Sequence, residues 1–137
     1  MKQKILFLFA LLALLCGSIP TPTNASVPHD VLISELSWAG SSLSAADEWV
    51  ELANISNEPV DVSGWSLSGA SNAPIVFPAG SLIEAHTTFL ITNYANTNTS
   101  TALNTSPQIV TTMVSLPNEK FAITLNAPDR GVVDSAG

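Results

Sequence analysis

Five carboxylates are the residues of this chain best suited to chemistry: Glu35, Asp47, Glu48, Glu51 and Asp61. Oxygen-rich clusters at loop ends can hold Ca²⁺, which takes about six to eight oxygen ligands. Asp61 would approach the other four if residues 47–69 folded back as a hairpin. Their spacing, however, fits no calcium loop, and solvated strand faces carry such charges routinely. The expectation is therefore no cofactor, with calcium at these five residues as the alternative. A second candidate surface is aromatic. Trp38, Trp49, Trp65 and Tyr94 could together offer flat faces to sugar rings. Trp65 fits the core better, because a Trp buries a large area and Gly64 before it allows close backbone approach.

Other reactive groups are poorly placed for catalysis. His29 and His86 have no partner at metal-ligand spacing, and both are expected on the surface. Gly64-Trp65-Ser66-Leu67-Ser68 nearly spells a nucleophile elbow, but Ser68 stands where the second glycine is required. The elbow also needs a helix after it, and none is signalled. No catalytic residue is assigned. Asn54, Asn98 and Asn104 each open an Asn-x-Ser acceptor pattern, which arises easily by chance in a chain rich in Asn, Ser and Thr.

The elements that must position these residues read as strands. In Glu48-Trp49-Val50-Glu51-Leu52, Val50 and Leu52 fall on one face and Trp49 and Glu51 on the other. That is the period of a half-buried strand. Asn54 to Pro59 collects turn-forming residues, and Val60, Val62, Trp65 and Leu67 resume the apolar signal, so 47–69 reads as strand, tight turn, strand. Residues 31–38 are β-rich with apolar groups on both faces, which leaves their register open. Further strands are expected over 74–77, 82–83, 87–92, 109–114 and 121–125, with a hairpin turn at 126–131 leading to a last strand from Val132. Residues 94–107 lack charge and periodicity. They read as a long exposed loop whose replacement by a short linker would change stability by less than about 1 kcal/mol. The expected core is Val50, Leu52, Trp65, Leu67, Phe77, Phe89, Ile91 and Ile123. The fold class is all-β, a sandwich of about eight short strands with no sustained helical period.

Four segments in order, 49–52, 54–58, 60–65 and Phe77-Pro78-Ala79-Gly80, resemble the lamin tail domain, an immunoglobulin-like sandwich, in its bacterial exported form. The resemblance runs from about Val31 to the end. It implies a fold and a non-catalytic binding or structural role, not a reaction.

Charge and leader bound the function further. Lys2 and Lys4, the apolar run 5–15, the breakers Gly17, Pro20 and Pro22, and the small residues ending at Ala25 read as a signal peptide over 1–25. The run is too short to stay as a membrane span. Cys16, the chain's one cysteine, is preceded by Leu15 rather than a small residue. Lipidation there is the lesser alternative, and no disulfide is available to the domain over 26–137. That domain keeps two basic residues against eleven acidic ones, a formal charge of −9. Such a balance excludes nucleic acid and anionic membrane surfaces as partners, since both need clustered Lys and Arg. It allows a cation or a basic partner, and it also keeps a secreted domain soluble.

The reading of the whole is an exported, non-enzymatic module acting on a protein or a cell-surface polymer. The last strand stops soon after it starts, which suggests one module of a longer protein. The alternatives are a carbohydrate-binding module using exposed aromatics, and the N-terminal fragment of a secreted hydrolase or nuclease.

Overall fold

The computed structural model describes residues 30–137. The signal peptide over 1–25, Cys16 and His29 lie outside the described residues. Ten strands follow in chain order: β1 (Val31–Ser37), β2 (Trp49–Asn54), β3 (Val60–Asp61), β4 (Ser66–Ser68), β5 (Ile75–Val76), β6 (Leu82–Ile83), β7 (Thr88–Thr92), β8 (Ile109–Val110), β9 (Ile123–Ala127) and β10 (Gly131–Ala136). They form one sheet in the order β1-β2-β7-β8 and a second in the order β10-β9-β4-β5. A two-stranded β3-β6 ladder completes the set. All pairings are antiparallel except β7 with β8, which is parallel. Among the described residues no helix is long and apolar enough to cross a membrane.

The core lies between the two larger sheets. Val50, Leu52, Phe89 and Ile91 come from one sheet, Leu67 and Ile123 from the other, and Trp65 and Phe77 flank the second; all eight are buried in one apolar cluster. The rings of Phe77 and Phe89 sit 5.8 Å apart across it. In β2, burial alternates at every residue, with Trp49 and Glu51 only half-buried on the outer side. Such alternation is the direct product of the pleat, which sends successive side chains to opposite faces.

The apolar residues on both sides of β1 are reconciled by a β-bulge between Ile33 and Glu35. Before it, Ile33 stands opposite the buried Leu52; after it, Leu36 stands opposite the buried Val50. One extra residue therefore returns the strand to the same inward face. A second bulge lies between Val132 and Asp134 in β10. The two bulged edges meet, and the Ile33 N–H donates to the Asp134 carboxylate at 2.8 Å. One side of the sandwich is closed by that contact.

The hairpin expected over 47–69 does not form. β2 pairs with β1 and β7, whereas β4 pairs with β5 and β9 in the opposite sheet. The apolar sides of the two segments face each other across the core instead of lying side by side. The chain leaves the first sheet at Asn54, where the side-chain oxygen accepts the Ser56 N–H at 2.9 Å and holds a tight local turn. The expected strand over 109–114 is also shorter, because only Ile109 and Val110 pair. Val114 instead hydrogen-bonds the side chain of Asn93. A turn does form near the expected hairpin at 126–131, where the Arg130 N–H donates to the Ala127 carbonyl. Gly69, with φ of +85°, adopts a left-handed conformation beside the Ala122 carbonyl, where any Cβ would collide.

Candidate functional site

The five carboxylates are not brought together. Asp61 lies in β3, outside both large sheets, because the hairpin that would have carried it to the others is absent. Glu35 and Glu51 pair across β1 and β2 on the outer face, and one Glu51 oxygen accepts the Ser34 hydroxyl at 2.8 Å. Among the described residues no three His, Cys, Asp or Glu side chains form a group able to hold a metal ion, and the five carboxylates fall into separate places rather than one cluster.

Asp47 and Glu48 have a different task. Both are buried just before β2 starts. Asp47 Oδ2 accepts the Ala102 N–H at 2.8 Å, and Glu48 Oε2 accepts the Leu116 N–H at 3.0 Å. Burial works to raise the Asp47 pKa, but hydrogen bonds from the Thr101 side chain, the Ala102 N–H and the Ser41 side chain outweigh it. Its carboxyl is held below the ordinary value. Asn93, just after β7, adds a third clamp. Its amide donates to the carbonyls of Ala46 at 3.0 Å and Val114 at 2.6 Å, and its oxygen accepts the Val114 N–H at 3.0 Å. The segment 94–107 is therefore not the free loop that its composition suggested. Thr101 is buried, Ala102 is bound to Asp47, and the Tyr94 hydroxyl lies 3.3 Å from Ser44 Oγ.

At the far end of β2, Asn54 forms a second hub, only 2% exposed. Its amide donates to the carbonyls of Glu58 at 2.8 Å, Ile83 at 3.0 Å and Glu84 at 3.2 Å. Its oxygen also accepts the Ser56 hydroxyl at 2.8 Å. As an acceptor for glycosylation, Asn54 is buried and fully engaged.

The aromatic groups do not make one platform. Trp65 is 7% exposed and Trp49 is half-buried. Trp38 is 45% exposed, and its ring centroid is 6.2 Å from that of Phe121 at 46°. Ser66 sits within β4, paired with both Val76 and Asn126. No helix follows it, so it has nothing of a nucleophile elbow. His86 is exposed with φ of +57°, and its Nε2 lies 3.0 Å from Asn57 Oδ1.

Among the described residues an open cleft of about 450 Å³ lies beside the β9–β10 turn. Pro59, Val60, Trp65 and Pro128 give it apolar walls, and Asp30, Asp61 and Asp129 give it acidic groups, with Arg130 at the same turn. One Asp61 oxygen accepts the Ser63 N–H at 2.8 Å. The Ser63 hydroxyl, followed by that N–H, lowers the Asp61 pKa from its ordinary value. Asp61 was among the sequence candidates; Asp30 and Asp129 were not, because they lie 31 and 68 residues from it with no shared motif.

The lamin tail domain family model matches residues 24–137. The chain belongs to the lamin tail domain family. No curated protein matches it. In this lamin tail domain the segments 49–52, 54–58 and 60–65 that carried the resemblance lead from β2 in one sheet, through β3, to the start of β4 in the other. The family's immunoglobulin-like architecture is the one the ten strands build, and its members are non-catalytic modules. Sequence reasoning missed Asn54, Asn93 and Asp134 as structural residues. Asn54 ends β2 and Asn93 follows β7, but position at a strand end does not by itself separate a buried amide from a solvated one.

Proposed function

We propose that this lamin tail domain is exported and works at or beyond the cell surface as a non-enzymatic binding or structural module, an accessory to a larger protein. The leader carries this reading: two lysines, eleven apolar residues and then small residues ending at Ala25. A cysteine-free domain with a formal charge of −9 is compatible with that setting. The partner is a protein or a cell-surface polymer. The aromatic distribution lends little to a sugar-stacking role, since Trp65 is only 7% exposed and the Trp38 ring is tilted against Phe121. Fractionation of producing cells followed by N-terminal sequencing tests export. The expected product begins Ser26-Val27-Pro28 in the extracytoplasmic fraction. A chain that starts at Cys16 with attached lipid would make it a membrane-anchored module. Intact Met1 in the cytoplasm would sink the proposal.

A further inference from the structure

The cleft between β3 and the β9–β10 turn combines two properties that suit one class of ligand. Its walls are apolar: Pro59, Val60, Trp65 and Pro128. Its charge is acidic, with three aspartates against one arginine. Arg130 turns to its neighbour, its Nε 3.3 Å from Asp129 Oδ2, the sole ion pair among the described residues. Asp30 and Asp61 are left with no cationic partner there. The Asp30 backbone is fixed by the Ile55 N–H, which donates to its carbonyl at 2.8 Å. Asp61 is fixed by Ser63, whose hydroxyl is itself oriented by accepting the Gly80 N–H at 2.9 Å. Both carboxylates are thus set on ordered backbone before any ligand arrives, which lowers the entropy lost on binding.

Three occupants can be weighed. A bare metal ion needs converging oxygens, and no metal-holding group exists among the described residues. A sugar needs an exposed aromatic face, and Trp65 offers only 7% of its surface. A long cationic side chain needs an apolar channel for its methylenes and a carboxylate at the end. We infer that this cleft receives an arginine or lysine side chain of a basic, extended peptide segment on a partner protein, with the stem against Pro59 and Pro128 and the head at Asp30 and Asp61. The inference rests on the reading of this domain as a binding module and names the chemistry of its partner. Complementarity of charge across the whole domain favours the same partner, with nine unbalanced negative charges to steer it in.

The test is an NMR titration of the full chain with a tetra-arginine peptide, with a tetra-citrulline peptide of matching shape as the comparison. Arginine should shift the Ser63 and Gly64 amides and the Trp65 indole, and citrulline should not. Asp30→Asn with Asp61→Asn should weaken binding about tenfold, while the equally discharged Glu35→Gln with Glu119→Gln should change it less than about twofold. Equal weakening by the two pairs would mean a diffuse field and would overturn the cleft. So would equal shifts from citrulline, or the same amides moving with calcium chloride alone and not with the peptide. Should the double asparagine variant not fold, the two peptides against the natural chain decide the matter. Shifts confined to another surface would dismiss this cleft and leave the binding-module reading standing. Cytoplasmic retention in the fractionation experiment would do the reverse.

Discussion

β2 ends in two different kinds of clamp. At its finish, Asn54 gathers three backbone carbonyls and two donors from Ser56 with one neutral amide. At its start, Asp47 and Glu48 gather N–H groups from two distant loops with carboxylate oxygens, and Asn93 joins them from just after β7. The jobs are alike: each satisfies backbone groups at strand ends and in the loops between them. The difference lies in the chemistry of acceptance. Carbonyls demand a donor, which an amide supplies at any pH. Lone N–H groups demand an acceptor, and a carboxylate is the stronger one only while it is ionised. One end of the sandwich is therefore indifferent to acid, and the other is not.

Replacing Asn54 by Ala should give the largest effect on this comparison. It strands the Ile83 carbonyl in the interior and loosens the turn at Ser56, so a loss of about 3 kcal/mol is expected. Urea unfolding of the variant checks it, and a loss below about 1 kcal/mol would show that the clamp is dispensable.

A smaller loss tests the other end. Exchanging residues 96–106 for a short Gly-Ser linker removes Thr101 and Ala102 and leaves Asp47 buried without them. About 2 kcal/mol is expected, more than the cost of a merely flexible loop. If the same exchange made in an Asp47→Ala background cost as much again, the loop would owe its order to something other than Asp47.

The subtlest effect is on pH. Because the folded Asp47 carboxyl titrates below its ordinary value of 3.8, its contribution is fully present above that value. It is lost as pH falls through the depressed folded one. Hydrogen exchange at pH below that ordinary value should show the Ala102 amide losing protection before the Ser56 amide does. Asp47→Asn should flatten that dependence. An Ala102 amide that stays protected while Ser56 opens would reverse the comparison.

The legible part of this structure is what repeats locally. Alternation marked β2 and the inner residues Val50 and Leu52, and the β-branched run marked β7, because both follow from the pleat alone. The bulge in β1 was illegible for the same reason: a single inserted residue breaks the period, and β1 then reads as apolar on both faces. The partner of β4 was illegible because adjacency in sequence favours a hairpin, and only the buried amide at Asn54 redirects the chain. The clamps were hidden by distance. Glu48 and Leu116 are 68 residues apart and Asn54 and Ile83 are 29 apart, so nothing near either residue distinguishes a buried acceptor from a solvated one. The cleft was half visible, since Asp61 was a candidate, but its use of Asp30 and Pro128 depends on a chain fold that local pattern does not encode.

The seam between β1 and β10 has a consequence in time. A side-chain bond across it joins residues 101 positions apart, Ile33 and Asp134. Contacts this remote are formed late, after the entropy of a long chain closure has been met, and topologies rich in them fold slowly. As the chain emerges during synthesis, β1 can pair with β2, which β7 then joins, yet the outer edge of β1 waits uncovered until β10 is made. For that interval the nascent domain presents an open strand edge to any neighbouring chain, so its guard against misassembly is the speed with which β10 arrives.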